Sequence, residues 1–213
     1  MGFVSQLPER HDNPMKIALL GGGNVGGALG IAWSRHGHNV YFGVLDPEAA
    51  DMKKTLAGCG NGALAGAPSD AAAFGEVIVV SLPWSAVEDT LARLDLAGKT
   101  VIDCANPPPG IAGAEVIAKK FPSAKVAKCF NITGANNMAN PRYGDGAAAM
   151  FACSDDAGAK ATAMQLASDA GFEVFDLGPL SNAGLMESFA RLWIWLASRS
   201  GLGREFAFRL VKR

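Results

Sequence analysis

Three glycines near the start of the chain have the spacing of a phosphate-binding loop. Gly21, Gly23 and Gly26 form a G-x-G-x-x-G pattern between the apolar run 17–20 and a helix-like pattern. The first glycine permits a tight turn, the second lets the backbone approach a pyrophosphate, and the third lets helix and strand pack closely. The helix start then offers free N–H groups and a positive dipole to phosphate. The pattern predicts a dinucleotide-binding site.

The elements that would position this loop alternate between strand and helix. Apolar runs predict strands, and patterns with a 3.6-residue period predict helices. Such alternation favours right-handed crossovers and a Rossmann-type, doubly wound α/β fold with a mainly parallel sheet. The predicted strands cover 16–20, 39–43, 63–65, 76–82, 100–104 and 125–130. The predicted helices cover 24–36, a segment that begins at Asp46-Pro47, a short segment capped by Ser69 or Asp70, then 84–94 and 111–120.

A small α/β extension is predicted at the C-terminal end. It has strands at 148–153 and 172–175 and helices at 157–170 and 183–198. We expect residues 1–14 to be a flexible leader and 15–213 to form one domain, with a Rossmann core at 15–130 and a substrate loop and extension at 131–213. On the last helix, an apolar stripe is typical of core, and part of it is a candidate subunit interface in a homodimer. That stripe comprises Leu185, Phe189, Leu192 and Leu196, widened by Met186 and Trp193.

Ligands of doubly wound sheets bind beyond the carboxyl ends of the strands. Val44, Leu45 and Asp46 follow the second strand and would lie beside an adenosine ribose. Ser81 and its neighbours follow the fourth strand, and Ala105 follows the fifth. These segments are therefore further candidates for cofactor contacts.

Two asparagines at strand ends are the polar groups best placed for a nicotinamide carboxamide or a substrate. Asn106 follows the fifth strand and Asn131 follows the sixth. The alternative is that each is a turn asparagine that satisfies nearby backbone. The polar, glycine-rich segment 131–146 is too long for a simple connector. We expect it to form a substrate pocket with Asn106 and the 179–182 turn, where Ser181 or Asn182 caps the last helix.

Bulk properties exclude several functions. The net charge is −1, so the chain lacks the basic character of a nucleic-acid-binding protein. No apolar run approaches the roughly 20 residues that span a bilayer, and residues 1–14 lack the apolar core of a signal peptide. The four cysteines are dispersed, which predicts reduced thiols in a cytoplasmic protein. The three histidines show no metal-ligand spacing, so no metal site is predicted.

No nucleophile–base pair is apparent. Ser81, Ser85 and Ser181 have no histidine near them in any motif, and the histidines do not follow the carboxyl ends of strands. Hydride transfer between two bound redox groups needs placement and water exclusion more than an acid or a base. The sequence therefore identifies no catalytic side chain and favours a nicotinamide-dependent oxidoreductase. The alternative is a nicotinamide-binding sensor or scaffold without turnover.

Several segments in order resemble the NADP-dependent oxidoreductases of the coenzyme-F420 type. They are the glycine loop, Leu82-Pro83-Trp84 with 87–90, and 130–140. The most specific is the block 176–182, followed by Leu185 and 187–188. The resemblance extends from about residue 15 to about residue 210. It implies hydride transfer between NADP(H) and a small redox substrate such as a flavin or a deazaflavin (F420).

The resemblance also implies roles for individual residues. The pyrophosphate would be held by Gly21, Gly23, Asn24, Val25 and Gly26. The channel from adenosine to nicotinamide would be lined by Ser81, Leu82, Pro83 and Ala86. The floor of the second-substrate pocket would be formed by Asn131, Ile132 and Thr133.

This chain departs from the family at two positions. The family has Ser and Arg after the second strand to bind the 2′-phosphate, whereas this chain has Val44-Leu45-Asp46. An acidic group there suits the ribose hydroxyls of NAD better than a phosphate, although Lys53 or Lys54 could compensate. The family also has His where Asn131 stands. NADP is expected on the family pattern, with NAD as the alternative.

Overall fold

A computed structural model describes residues 13–211 and residue 213. The predicted leader therefore lies, apart from its last two residues, outside the described residues. The strands of the first part are β1 (Lys16–Leu20), β2 (Asn39–Gly43), β3 (Leu64–Gly66), β4 (Val77–Val80), β5 (Thr100–Asp103) and β6 (Lys125–Lys128). Its helices are α1 (Asn24–Arg35), α2 (Ala50–Gly58), α3 (Pro68–Phe74), α4 (Trp84–Leu91) and α5 (Gly113–Lys120).

The second part begins with short elements. These are α6 (Ala135–Ala139), β7 (Arg142–Tyr143) and β8 (Gly146–Ala147). The extension follows with β9 (Ala149–Ser154), α7 (Ala157–Asp169), β10 (Glu173–Asp176), a 3₁₀ turn (Leu180–Asn182) and α8 (Ala183–Arg199).

The main sheet has eight strands in the order β10-β9-β6-β5-β4-β1-β2-β3. The six strands from β3 to β6 are parallel, while β9 pairs antiparallel with β6 and β10 pairs parallel with β9. The chain thus moves outward from β1 in both directions, and the order reverses between β1 and β4. This arrangement confirms the predicted Rossmann-type fold and its C-terminal extension.

Burial explains the central strands. All four residues of β4 are buried, as are four of the five residues of β1. Strands that are apolar on both faces are typical of parallel sheets covered by helices. Buried packing therefore fixes the strand ends from which the candidate site residues project.

Two predicted helix starts were wrong. Pro47 does not begin a helix, because residues 47–49 form a turn and α2 starts at Ala50. Neither Ser69 nor Asp70 caps α3, which begins with Pro68 at its first position and has no side-chain cap. A proline fits the first helical turn because its missing N–H would have no intrahelical partner there.

The segment 131–146 is more ordered than its composition indicates. It contains α6 and the ribbon of β7 and β8. The Asn136 and Asn137 side-chain amides donate to the carbonyls of Arg204 and Phe206. Contacts with residues nearly 70 positions away therefore order this segment, and local sequence patterns do not reveal such contacts.

The last helix places its residues differently from the predicted apolar stripe. Met186, Ala190 and Trp193 are buried, but Leu185 is 63% exposed and Leu192 is 47% exposed. The stripe prediction of core was therefore wrong for these two leucines. Within the described residues, no helix is long and apolar enough to cross a membrane.

Candidate functional site

The glycine loop joins β1 to α1 and is held by backbone contacts. Gly21 has a φ of +98°, which L side chains rarely adopt, and its N–H donates to the Gly43 carbonyl at 3.0 Å. The Ser81 hydroxyl donates to the Leu20 and Gly21 carbonyls at 3.0 and 2.9 Å. A Cβ on Gly26 would collide with the Gly21 carbonyl oxygen and the Ser81 hydroxyl. The loop thus requires Gly21 and Gly26 for its own packing.

Gly23 differs from these two glycines. A Cβ added at Gly23 would have no described protein atom within 4 Å. The fold therefore does not account for a glycine here, whereas the approach of a ligand would. Gly23 is also the N-cap of α1, whose first turn holds no acidic residue and no side-chain cap. The free N–H groups of this turn suit a pyrophosphate.

Two clefts are lined by predicted cofactor residues. The first, here called the glycine-loop cleft, has a volume of about 400 Å³ and is lined by Gly23, Asn24, Val25, Ser81, Leu82, Pro83, Trp84, Cys104, Ala105 and Asn106. The second, here called the outer cleft, has a volume of about 520 Å³ and is lined by Leu45, Pro68, Ser69, Ser85, Ala86, Asp89, Thr90, Arg93 and Leu94. Most predicted cofactor residues therefore line one of two neighbouring clefts.

The segment after β2 is only partly at a cleft. Leu45 is 99% exposed and lines the outer cleft. Val44 packs toward Gly22. Asp46 accepts the Glu48 N–H at 3.0 Å, so one of its oxygens is used in a local turn. Lys53, one candidate to compensate for the missing arginine, forms an ion pair with Glu48 at 2.9 Å.

Asn106 and Asn131 form a reciprocal pair. The Asn106 Nδ2 donates to the Asn131 main-chain carbonyl at 3.2 Å, and the Asn131 Nδ2 donates to the Asn106 Oδ1 at 3.1 Å. The first bond fixes which way the Asn106 amide points, and this in turn fixes Asn131. The buried Asn131 Oδ1 then has no hydrogen-bond partner among the described residues. Buried polar atoms usually have a partner, so this unpaired acceptor next to Asn106 is unusual, although Asn131 itself lines neither of the two clefts.

The residue directly before Asn131 has a strained backbone conformation. Phe130 has a φ of +61°, although it is a bulky residue, and its ring packs edge-on against Trp33 at 5.4 Å. Such strain costs of order 1–3 kcal/mol and clusters at functional sites. The turn at Phe130 directs the chain from β6 so that Asn131 reaches Asn106. Ile132 is buried and Thr133 is half-buried in the following turn.

The structure does not bring Ser181 and Asn182 to either cleft. Because β10 runs antiparallel to β6, its carboxyl end points away from the edge that carries the glycine loop. The Asn182 Nδ2 donates back to the Leu177 carbonyl at 2.6 Å, and α8 has no side-chain cap. Ser181 is exposed. Their role in substrate binding stays a prediction that these contacts do not support, and the predicted cap is wrong.

The sequence reasoning missed a set of buried charges, here called the lysine cluster: Asp103, Lys128 and Glu187. Their side chains are at most 1% exposed. The Lys128 ammonium lies 2.8 Å from Asp103 and 3.3 Å from Glu187. A charged residue inside an otherwise apolar strand is rarely buried without a partner, and this is the signal that could have identified Asp103 and Lys128.

The glycine-loop cleft offers almost no acid–base chemistry. Cys104 is the one titratable side chain among its lining residues. Burial raises the pKa of the Cys104 thiol well above its usual range, and the nearby Asp103 carboxylate raises it further. The thiol therefore stays protonated and does not act as a nucleophile. The described residues contain no cluster that could hold a metal ion.

Comparison with known proteins agrees with the geometry. Residues 16–107 match the family model described as NADP oxidoreductase, coenzyme F420-dependent. A protein of Arthrobacter sp. FB24, assigned as an F420-dependent NADP reductase, is 32% identical and superimposes with a TM-score of 0.82. That match covers 93% of this chain and 100% of the other.

More distant structures share the fold. Protein SMa0349 from Sinorhizobium meliloti is 25% identical with a TM-score of 0.71, over 80% of this chain and 88% of the other. A reductive aminase from Aspergillus terreus, solved with NADPH and ethyl levulinate, is 19% identical with a TM-score of 0.66. That match covers 86% of this chain and 62% of the aminase.

The family match and the full-length likeness to the Arthrobacter protein decide between an enzyme and a sensor without turnover. The chain belongs to the coenzyme-F420-dependent NADP oxidoreductase family and is an NADP-dependent oxidoreductase.

Proposed function

We propose that the protein transfers hydride between NADP(H) and a second small redox substrate, such as a flavin or deazaflavin, that binds against the nicotinamide. The observation that carries this proposal is the composition of the glycine-loop cleft. The start of α1, which suits a phosphate, and Asn106 both line it, and Cys104 is the one titratable side chain among the lining residues. Bound NADPH would supply the hydride, so the protein supplies placement and water exclusion.

The chain would hold the cofactor from two sides. The N–H groups of Asn24 and Val25 at the start of α1 would bind the pyrophosphate. Across the cleft, Leu82 and Pro83 would cover the path from the ribose to the nicotinamide. The open space at Gly23 fits a phosphate that approaches the backbone closely.

The asparagine pair would orient the reacting rings. The free Oδ1 of Asn131 accepts a hydrogen bond, so it suits the carboxamide N–H of the nicotinamide or a ring N–H of the substrate. Ile132 and Thr133 would continue this surface toward the substrate. Asn131 stands where the family has a histidine, so the substrate of this chain need not be F420 itself.

We propose that Arg93 contributes to the preference for NADP(H) over NAD(H). Arg93 is exposed and lines the outer cleft together with Leu45 and Ser69. It makes no ion pair or side-chain hydrogen bond with another described residue. The carboxylate of Asp89 lines the same cleft, so a 2′-phosphate would meet both signs of charge. Leu45 carries no charge, so Arg93 would supply the positive group for the 2′-phosphate.

The Arg93 proposal predicts a selective effect. Arg93→Gln should weaken NADPH binding by about tenfold, the scale of one charge-assisted contact, and leave NADH binding unchanged. Lys119→Gln, which removes an exposed cation from α5 outside both clefts, is the matched control. Equal losses for both cofactors, or no loss, would exclude Arg93 from 2′-phosphate binding.

We also propose a homodimer formed through α8. Leu185, Leu192 and Trp195 expose 63%, 47% and 57% of their surface on this helix, a patch that a second copy could cover. Light scattering should show a dimer that Leu192→Asp disrupts. The free, mostly buried cysteines support the cytoplasmic location expected for the enzyme.

The decisive experiment for the function is a titration followed by an assay. The protein is titrated with NADPH and NADH by fluorescence, and the bound form is then tested for reduction of F420 and of free flavins. The proposal predicts NADPH binding and oxidation that depends on one of these acceptors. NADPH binding with no oxidation by any of them would contradict the flavin or deazaflavin proposal.

A further inference from the structure

The lysine cluster is connected directly to the backbone that carries Asn106. Lys128 donates to the carbonyl of Ala105, and the Ala105 N–H donates to the Asp103 Oδ1 at 2.8 Å. Lys128 also donates to the second oxygen of Asp103 at 2.8 Å. The peptide groups on both sides of Ala105 are therefore held by this ion pair, one residue before Asn106.

Glu187 brings the C-terminal helix into the same arrangement. Its Oε1 lies 3.3 Å from the Lys128 ammonium and accepts the Gly113 N–H at 2.8 Å. It thereby joins α8, β6 and the start of α5. Its other oxygen, Oε2, is buried without a hydrogen-bond partner among the described residues.

Gly113 shows how tightly the cluster is enclosed. A Cβ there would lie 2.9 Å from the Trp84 ring, 3.1 Å from the Asp103 Oδ2 and 3.3 Å from the Glu187 Oε1. Trp84 also lines the glycine-loop cleft. The indole of Trp84 is thus shared between the cluster and the cleft.

The desolvation penalty of burying the lysine cluster can exceed the electrostatic attraction between its charges. Each buried charge carries a desolvation penalty of several kcal/mol, and apolar side chains of similar volume often stabilise a fold better. This costly arrangement holds the peptide groups on both sides of Ala105 beside the cleft, and such contacts are well suited to fixing backbone geometry. Placement matters for transfer reactions, because a displacement of about 1 Å can cost roughly a hundredfold in rate.

We propose that Lys128 is a positioning residue for the nicotinamide end of the site. Its ammonium holds the Ala105 carbonyl and thereby fixes the position of the hydrogen-bonded Asn106–Asn131 pair. Glu187 connects Lys128 to α8. Lys128 touches neither cofactor nor substrate and acts through Asn106. The link to hydride transfer rests on the proposed function, whereas the placement of Asn106 does not.

The first test measures the placement of Asn106 without any ligand. In ¹H–¹⁵N spectra of the unliganded protein, the side-chain amides of Asn106 and Asn131 report their reciprocal hydrogen bonds. Lys128→Met should shift both and raise their exchange with solvent. Asp169→Asn, which removes a buried charge far from the cleft, should leave them unchanged. Unchanged Asn106 and Asn131 signals in a folded Lys128→Met protein would overturn the proposal.

The second test separates positioning from stability by kinetics. The hydride-transfer rate of Lys128→Met should fall by about tenfold to a hundredfold, with NADPH affinity within about twofold of the parent because the glycine loop is untouched. In an Asn106→Ala background, the same substitution should have little further effect on the rate, since both changes disturb one unit. Additive effects would overturn the proposal.

Two controls keep these outcomes distinct. Should Lys128→Met not fold, Lys128→Gln keeps a hydrogen-bond donor without the charge and is expected to give a smaller change in the same direction. Should the parent protein bind no NADPH, the proposed function fails, while the spectra still decide whether Lys128 positions Asn106.

Discussion

Charged side chains are buried at both ends of the parallel strands, here called the carboxyl edge and the amino edge of the sheet. The two sets of charges make different contacts. The lysine cluster lies at the carboxyl ends of β5 and β6, next to the glycine-loop cleft. A second set, here called the histidine cluster, lies near the amino ends of β1 and β2. It consists of His36, His38 and Asp169.

The hydrogen bonds of the histidine cluster connect elements of the fold to one another. The Met15 N–H donates to the His38 Nδ1 at 3.1 Å, so the Nε2 of His38 carries the proton toward Asp169 at 3.0 Å. The Gln165 amide donates to the other Asp169 oxygen at 2.6 Å. These bonds link α1, α7 and the start of β1, and neither of the two clefts touches them.

The difference shows that burial of charge alone does not identify a functional group. Both clusters are buried, but only the lysine cluster holds backbone that lines a cleft. Its Glu187 also retains an unpartnered oxygen, whereas both Asp169 oxygens are bonded. Changes in the lysine cluster should therefore alter the hydride-transfer rate as well as stability, and changes in the histidine cluster should alter stability alone.

The largest expected effect is at Gly23. Gly23→Val should reduce NADPH affinity by at least about a hundredfold, because the side chain would occupy the path of the pyrophosphate. The fold should persist, since a Cβ there meets no described protein atom. Fluorescence titration measures the binding, and circular dichroism checks the fold.

Gly184 provides the matched control for Gly23. A Cβ at Gly184 also meets nothing within 4 Å, and this residue lies in α8 outside both clefts. Gly184→Val should therefore bind NADPH like the parent protein. Retained NADPH binding by a folded Gly23→Val protein would contradict the cofactor site.

The two clusters should differ next in stability. Lys128→Met should lower the free energy of unfolding by about 3–5 kcal/mol, because it leaves two buried carboxyl groups without their cation. Asp169→Asn should cost about 1–3 kcal/mol, since an amide still accepts a hydrogen bond at that position. Denaturant unfolding measures both losses. Equal losses, or a larger loss for Asp169→Asn, would contradict the proposed difference between the two clusters.

Gly113 should show a smaller effect confined to the carboxyl edge. Gly113→Ala places a methyl group against Trp84, Asp103 and Glu187 and should cost about 1–3 kcal/mol as overpacking. Trp84 emission should shift as well. Gly184→Ala, with no such neighbours, should be neutral or stabilising, and a neutral Gly113→Ala would show that the cluster is not tightly enclosed.

The smallest predicted effect is a pH dependence at the amino edge. Burial acts to raise the pKa of Asp169, but hydrogen bonds from His38 and Gln165 and both imidazoles together lower it below its ordinary value. A lowered folded-state pKa gives stability that is present above the unfolded-state pKa. This stability is lost as pH falls through the folded-state value.

The comparison with Asp169→Asn isolates this contribution. The stability gap between the parent protein and this variant should shrink as pH falls below about 4. Unfolding experiments across this range measure the gap. A gap that widens in acid would show that the carboxylate is not stabilised in the folded protein.

The sequence predicted the fold well where the signal is local. The run of Val77–Val80 is apolar throughout and became a buried strand, and the glycine pattern became the β1–α1 loop. These features follow from side-chain periodicity and backbone freedom, which neighbouring residues determine.

Long-range contacts decided the rest. Lys125 and Lys128 stand three residues apart in one short strand, yet Lys125 is exposed and Lys128 is fully buried. Only the approach of Asp103 and Glu187 distinguishes them. In α8 the buried position of Glu187 beside Lys128 leaves Leu185 and Leu192 facing outward, against the apolar pattern.

The most direct test of the account is a structure of the protein with NADPH bound. We predict the pyrophosphate at the start of α1 and the nicotinamide ring within about 4 Å of Asn106 or Asn131. A ring with no atom of Asn106 or of residues 131–146 in contact would contradict the proposed active site.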